Sequence, residues 1–151
     1  MSSFETSRRT HVAAPPERVL PLLEDFREWQ RWSPWEGLDP ALERTYSGPA
    51  TGVGSHYAWS GNRRAGSGTM QVLRSGPDGV DVDLRFLKPF RATNLTRFVL
   101  TPAAGGTDVE WVMTGERSVV MGLLGRLFFD AAIGKDFDRG LASLKAAAEG
   151  R

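Results

Sequence analysis

The chain has 151 residues, 40% hydrophobic and 25% charged, which suits one globular domain over 1–151 that buries about 70% of its unfolded-state surface. Nineteen Lys and Arg stand against eighteen Asp and Glu, with no basic run longer than two, which argues against a nucleic-acid or anionic-membrane surface. The absence of cysteine excludes disulfides and thiolate metal sites, and "MSSFETSRRTHVAAPPE" lacks the apolar run of a signal peptide, so a cytoplasmic protein is expected.

Residues 4–14 are polar but compatible with a strand. "APPERVLPLLEDF" follows, with tandem prolines at a helix start and apolar Val19, Leu20, Leu22 and Leu23. A second helical piece, Arg27 to Trp32, sets Trp29 and Trp32 three residues apart on one side, and Pro34 ends it. Both rings suit anchors for a short helix, since each buries up to about 250 Å². Trp35 lies beyond the break, on the loop where a cavity mouth would be.

From residue 41 the pattern is a β-meander, with strands expected at 41–48, 54–61, 66–75, 79–87, 92–101 and 107–116. The turns between them carry glycine or proline, as in "SGPATGVG", "SGPDG" and "PAAGGTD". "VDVDLRF" puts Val80, Val82, Leu84 and Phe86 on one face and Asp81, Asp83 and Arg85 on the other, so the sheet has one wet side. The same alternation turns Tyr57 and Trp59 inward, sets Gly68, Met70 and Val72 on one face of the next strand, and groups Val109, Trp111 and Met113. Phe98 and Leu100 set the register of 92–101, which also brings Asn94 and Thr96 inward.

A long helix is expected at 118–149. Its second half repeats Phe129, Ile133, Phe137, Leu141, Leu144 and Ala148 at steps of three and four, one apolar stripe. Its first half, "VVMGLLGRLFFDAAIG", is apolar nearly all round but too short and too interrupted to span a bilayer. Gly134 is expected to permit a bend or a close approach to the sheet, leaving the N-terminal half free to move as a lid. This order of elements describes an α+β fold in which a curved antiparallel sheet of about seven strands wraps around a long C-terminal helix, with two short helices after the first strand.

Catalytic constellations are sparse. His11 and His56 lack metal-ligand spacing, so no metal is expected. No G-x-S-x-G elbow occurs, and "GPATGVG" lacks the lysine of a phosphate loop. Asp25, Glu28 and Glu36 cluster near the short helices, where solvated faces and helix pairing account for them without a general-acid role.

Three stretches, "VAAPPERVLPLLEDFREWQRWSPWEGLDP", "YSGPATGVGSHYAWSGNRRAGSGTM" and "GKDFDRGLASLKAAAE", make the chain resemble the SRPBCC superfamily of START-like helix-grip proteins, in its birch-pollen-allergen-like polyketide cyclase/dehydrase branch. The resemblance implies a helix-grip fold with a cavity between sheet and C-terminal helix, closed at one end by the short helices and loops. Alternation and the helix stripe would line it with Trp35, Tyr57, Trp59, Met70, Val82, Leu84, Phe86, Asn94, Thr96, Phe98, Trp111, Met113, Phe129, Ile133 and Phe137. Such a stripe also serves a plain core.

Burying about 200 Å² of apolar ligand surface yields about 5 kcal/mol, against an association cost of about 4–15 kcal/mol. A useful ligand is therefore large, or is anchored by polar groups such as Tyr57, Asn94 and Thr96. The primary expectation is a binding module for a small hydrophobic or amphipathic molecule of lipid, isoprenoid or polyketide type, monomeric or homodimeric, without cofactor, nucleic acid or membrane insertion. The alternatives are a polyketide cyclase or aromatase using Tyr57, Asn94 and Thr96, and a regulatory protein that offers Leu123, Leu127 and Phe128 as a partner surface.

Overall fold

The structure, a computed structural model, describes residues 3–37, 39–63, 65–88, 91–116 and 122–150, with side chains at 5–37, 39–63, 65–88, 91–115 and 134–150. Its strands are β1 (Ser3–Val12), β2 (Glu43–Ser47), β3 (His56–Ser60), β4 (Ser67–Gly76), β5 (Gly79–Lys88), β6 (Ala92–Ala103) and β7 (Gly106–Glu116). They form one antiparallel sheet in the order β1-β7-β6-β5-β4-β3-β2. Helix α1 (Pro16–Glu24) and a 3-10 helix (Glu28–Arg31) follow β1, and α2 (Gly122–Ala148) closes the chain. This is the expected helix-grip arrangement.

Boundaries shift where local chemistry decides them. β1 stops at Val12, and β2 is the short Glu43–Ser47 rather than 41–48, because Asp39 accepts the backbone N–H of Ala41 and holds that end in a turn. The second helical piece is a single 3-10 helix. Asp25 accepts the Arg27 N–H at its start and Pro34 follows soon after, which leaves room for one tight turn. In a 3-10 helix residues three apart eclipse, and the Trp29 and Trp32 rings accordingly lie 4.7 Å apart. Their indole N–H groups donate to the Leu23 and Leu22 carbonyls at 2.9 and 2.7 Å. These carbonyls belong to the last turn of α1, where helix geometry leaves acceptors unpaired. Two tryptophans thus anchor the 3-10 turn and complete α1 together.

The wet face of the sheet follows the alternation, with Arg74 bridging Asp78 and Asp81, Arg85 paired to Asp83, and Arg9 to Glu110. The inward face buries Val80, Val82 and Leu84 of β5, Asn94, Thr96, Phe98 and Leu100 of β6, and Val109, Trp111 and Met113 of β7. Helix α2 docks through Phe137, Leu141, Leu144 and Ala148, all buried, and Phe137 lies flat on Trp111 with centroids 3.9 Å apart and planes 6° apart. Trp32 and Phe98 complete the cluster around Trp111 at 5.5 and 5.0 Å. The side chains of Phe129, Ile133, Leu123, Leu127 and Phe128 lie outside the described residues.

Gly134 and Gly140 serve close approach. The Arg8 guanidinium crosses α2 where a Gly134 side chain would stand. At Gly140 an added Cβ would sit 2.9 Å from both Pro34 Cδ and Trp111 Cζ3. Alanine in an exposed helix normally stabilises by about 1 kcal/mol relative to glycine; here the sign should reverse. Gly140→Ala is expected to lower stability by about 1–3 kcal/mol through overpacking, read as a lower urea midpoint at unchanged m-value. A higher midpoint would contradict this packing.

Candidate functional site

Beside this packed cluster a cavity of about 500 Å³ opens over the β3–β5 half of the sheet. Its floor is Tyr57 and Trp59 of β3, Met70 of β4, and Leu84 and Phe86 of β5. Phe26 and Trp29 wall it from the α1 side, and the loop after the 3-10 helix contributes Ser33, Trp35 and Glu36. Leu42 and Ala65 reach it from the strand connections, and Asp136 and Arg139 from α2. The volume falls in the range of about 300–1,000 Å³ typical of small-molecule sites.

The aromatic floor is a chain of ring contacts, with Tyr57 against Phe26 at 6.0 Å and stacked on Trp59 at 6.0 Å, and Phe86 edge-on to Trp59 at 5.9 Å. Trp59 is fixed by its own N–H donating to the Ala65 carbonyl at 3.0 Å. Gly68, opposite Trp59, is small for this ring: the indole occupies the space of the missing side chain. That room belongs to the wall and not to a ligand.

Two ion pairs bound the polar parts of the site. On the loop side Glu36 accepts from Arg44, both partly buried, and the hydrogen bond to Glu36 raises the Arg44 pKa further. Arg44 Nε is buried without a partner. On the helix side Asp136 accepts the Trp35 indole N–H at 3.0 Å and an Arg139 N–H at 2.9 Å, while Arg139 also donates to the Pro34 carbonyl at 3.2 Å. The 33–36 loop is thereby strapped to α2. Burial, then the negative charge of Glu36, pushes the Tyr57 phenol up to about 12, with the Arg44 guanidinium opposing, so Tyr57 is a neutral hydrogen-bond donor across the physiological range.

Of the residues expected at the site, Trp35, Tyr57, Trp59, Met70, Leu84 and Phe86 line this cavity. Val82, Asn94, Thr96, Phe98, Trp111, Met113 and Phe137 are buried and are not among its lining residues. Phe129 and Ile133 lie outside the described side chains. Thr96 Oγ1 and Trp111 Nε1 have no hydrogen-bond partner, an arrangement that costs about 1–3 kcal/mol per group. Asp25 and Glu28 do the local work expected of them, capping the Arg27 N–H and pairing with Arg31. Glu36 departs from the solvated-face expectation, because the turn after Pro34 carries it into the cavity wall. Its partner Arg44, eight positions on, was the available signal. Asp136 and Arg139, absent from the expected set, were hidden as polar members of an amphipathic helix. Among the described residues no three His, Asp or Glu side chains are grouped as a metal site requires, and no helix is long and apolar enough to cross a membrane.

Residues 1–149 match the family model described as polyketide cyclase / dehydrase and lipid transport. Among solved structures, protein MLL2253 from Mesorhizobium loti is 14% identical with a TM-score of 0.71, over 97% of this chain and 98% of that one. The Aha1 dimer from Colwellia psychrerythraea is 21% identical with a TM-score of 0.67, over 97% and 96%. The di-domain ARO/CYC BexL from the BE-7585A biosynthetic pathway is 15% identical with a TM-score of 0.71, over 99% of this chain and 51% of that one. At these identities the likeness is one of fold. No curated protein sequence matches the chain.

Tyr57 offers a direct check on the site. Its folded-state pKa lies above the ordinary 10.0, so the native state holds the phenolic proton longer than the unfolded chain does. The associated stability is complete below pH 10 and is lost as pH rises toward 12. Tyrosinate absorbance should show one phenol that resists ionisation until about pH 12, and that late component should vanish in Tyr57→Phe. Full ionisation of both tyrosines well before that pH would contradict the burial.

Proposed function

The chain belongs to the polyketide cyclase / dehydrase and lipid transport family, and on that premise we propose that it binds a small hydrophobic or amphipathic molecule, of lipid, isoprenoid or polyketide class, in the cavity over β3–β5. One observation carries the proposal: an aromatic hollow of about 500 Å³ stands open beside a core packed to contact. Protein interiors close such voids when they can, because lining atoms without neighbours forfeit dispersion energy. Here the Trp59 ring of the floor is fixed by its hydrogen bond to the Ala65 carbonyl and the 33–36 loop is strapped to α2, so the space persists for an occupant.

The lining also describes that occupant. Six aromatic side chains, Phe26, Trp29, Trp35, Tyr57, Trp59 and Phe86, take an apolar body, while the Tyr57 hydroxyl and the Glu36 carboxylate offer one donor and one acceptor. The guanidinium groups of Arg44 and Arg139 already serve Glu36 and Asp136. A predominantly apolar molecule with a few oxygens, without net charge, fits this balance. One chain supplies every wall, so a monomer suffices for binding and a homodimer would bind twice.

A second reading, a cyclase or aromatase acting on a bound polyketide chain, draws on the placement of Tyr57 and Glu36 on the same cavity. Tyr57 would polarise a carbonyl and Glu36 accept a proton, while the walls hold a reactive conformer. The ARO/CYC name of the BexL structure supports that reading by fold alone.

Calorimetric titration with a long-chain alcohol and with a multi-ring aromatic ketone tests the proposal. At least one should saturate at a single site with a negative heat-capacity change, and Ala65→Phe, which projects a ring into the hollow, should weaken it at least tenfold, about 1.4 kcal/mol. No saturable binding of either compound, or equal affinity in Ala65→Phe, would sink the binding assignment. For the second reading, Tyr57→Phe and Glu36→Gln should each abolish turnover of a poly-β-ketone while retaining affinity; unchanged turnover would reject it.

A further inference from the structure

Thr96 and Trp111 each bury a hydrogen-bonding atom for which the fold supplies no partner: Thr96 Oγ1 at a residue 2% exposed, and Trp111 Nε1 at a residue 0% exposed. Both residues are on the inward face of adjacent strands, with Thr96 opposite Met113 and Trp111 opposite Phe98. Across the other edge of β6, Thr96 faces Val82, and the next inward residue of β5, Leu84, lines the cavity. Trp35, another lining residue, packs edge-on against Trp111 at 5.6 Å. The two residues that carry the unpartnered atoms therefore stand next to residues that line the hollow.

Folding does not require either atom. Valine would fill the volume of Thr96 among Val82, Phe98 and Met113 without a hydroxyl, and phenylalanine would preserve the stack on Phe137. A buried polar atom left without a partner is destabilising. We infer that Thr96 and Trp111 form a subsite at the inner end of the cavity that receives a neutral oxygen acceptor of the ligand, a ketone, ester or ether oxygen; this rests on the cavity being a ligand site. The indole N–H only donates, and the hydroxyl can donate or accept, so the group complementary to both is an acceptor. A carboxylate is disfavoured, since Arg139 on the cavity wall is already paired with Asp136 and an unpaired buried anion is costly. Both atoms are sealed in the empty protein. Entry therefore moves side chains that screen them, and on the Trp111 side Trp35, which packs edge-on against that ring and is held by its indole hydrogen bond to Asp136, is placed to swing.

Acetylnaphthalene and ethylnaphthalene, which share a shape and differ in the ketone oxygen, are suitable probes. Wild-type protein should bind the ketone about five- to tenfold more tightly than the hydrocarbon, the worth of a hydrogen bond made to otherwise unpartnered donors. Thr96→Val should abolish most of that preference, leave ethylnaphthalene affinity unchanged, and leave the thermal midpoint of the empty protein equal or higher. In the wild-type complex the ketone C=O stretch should move to lower frequency, and in Thr96→Val it should return toward its value in hydrocarbon. Trp111→Phe should act in the same direction; if it fails to fold, Thr96→Val and the vibrational shift decide. Equal binding of both probes by wild type, or an unshifted stretch, overturns the subsite and leaves the cavity assignment standing. Binding of neither probe overturns the subsite, and together with no binding of the long-chain alcohol it overturns the cavity assignment as well.

Discussion

The flat stack of Trp111 on Phe137 is the contact from which the rest of the interior follows. A sheet with one apolar face and a helix with one apolar stripe can meet at many rotations and heights. Two rings at 3.9 Å and 6° fix one of them. The approach is close because Gly140 presents no side chain to Trp111 and Pro34. The same ring takes the edges of Trp32 and Trp35, so the segment following α1 is set by the contact that docks α2. Dispersion falls off steeply with separation, and a cluster of this kind is therefore either closed or substantially weaker.

Filling the β6–β7 half of the inward face to this degree leaves the β3–β5 half short of material. The short helices deliver Trp29 and Trp32 toward Phe98, and Trp35 is turned toward α2. What remains over β3–β5 is a floor of large rings with few neighbours above it. Trp59 of that floor holds its position through its N–H on the Ala65 carbonyl, and Trp35 on the facing loop through its N–H on Asp136. Charges that border the space come as pairs, Glu36 with Arg44 and Asp136 with Arg139. A hollow bounded by mutually compensated ions presents shape, aromatic surface and a few hydrogen bonds, and little net field.

Much of this was legible in the chain. "VDVDLRF" declared a sheet face, and the alternation from Phe98 and Leu100 placed Asn94 and Thr96 inside, where they lie at 4% and 2% exposure. The spacing of Phe137, Leu141, Leu144 and Ala148 identified the docking stripe, since a period near 3.6 has only one structural meaning over that length. Tyr57 and Trp59 were recognisable as inward because the alternate positions are His56, Ala58 and Ser60. Glu36 was misread as a solvated carboxylate because its direction depends on a turn after Pro34, and local composition carries no information about where such a turn aims a side chain. Asp136 and Arg139 escaped for a related reason: on an amphipathic helix the polar boundary residues look like solvent-facing ones until the neighbour across the groove is known.

The sequence by itself determined the class of fold, the inward and outward members of the strands from β3 to β7, the apolar stripe of α2 and the absence of thiolate chemistry, because these depend on residue type and on periods of two and 3.6 that are local properties of the backbone. Tertiary structure alone decided which inward residues pack against each other and which line empty space. Trp111 and Tyr57 are equally aromatic and equally inward in the text. One meets Phe137 face to face; the other faces a void. That difference is set by the height and rotation at which α2 lands, a non-local sum of contacts that no single stretch of the chain encodes.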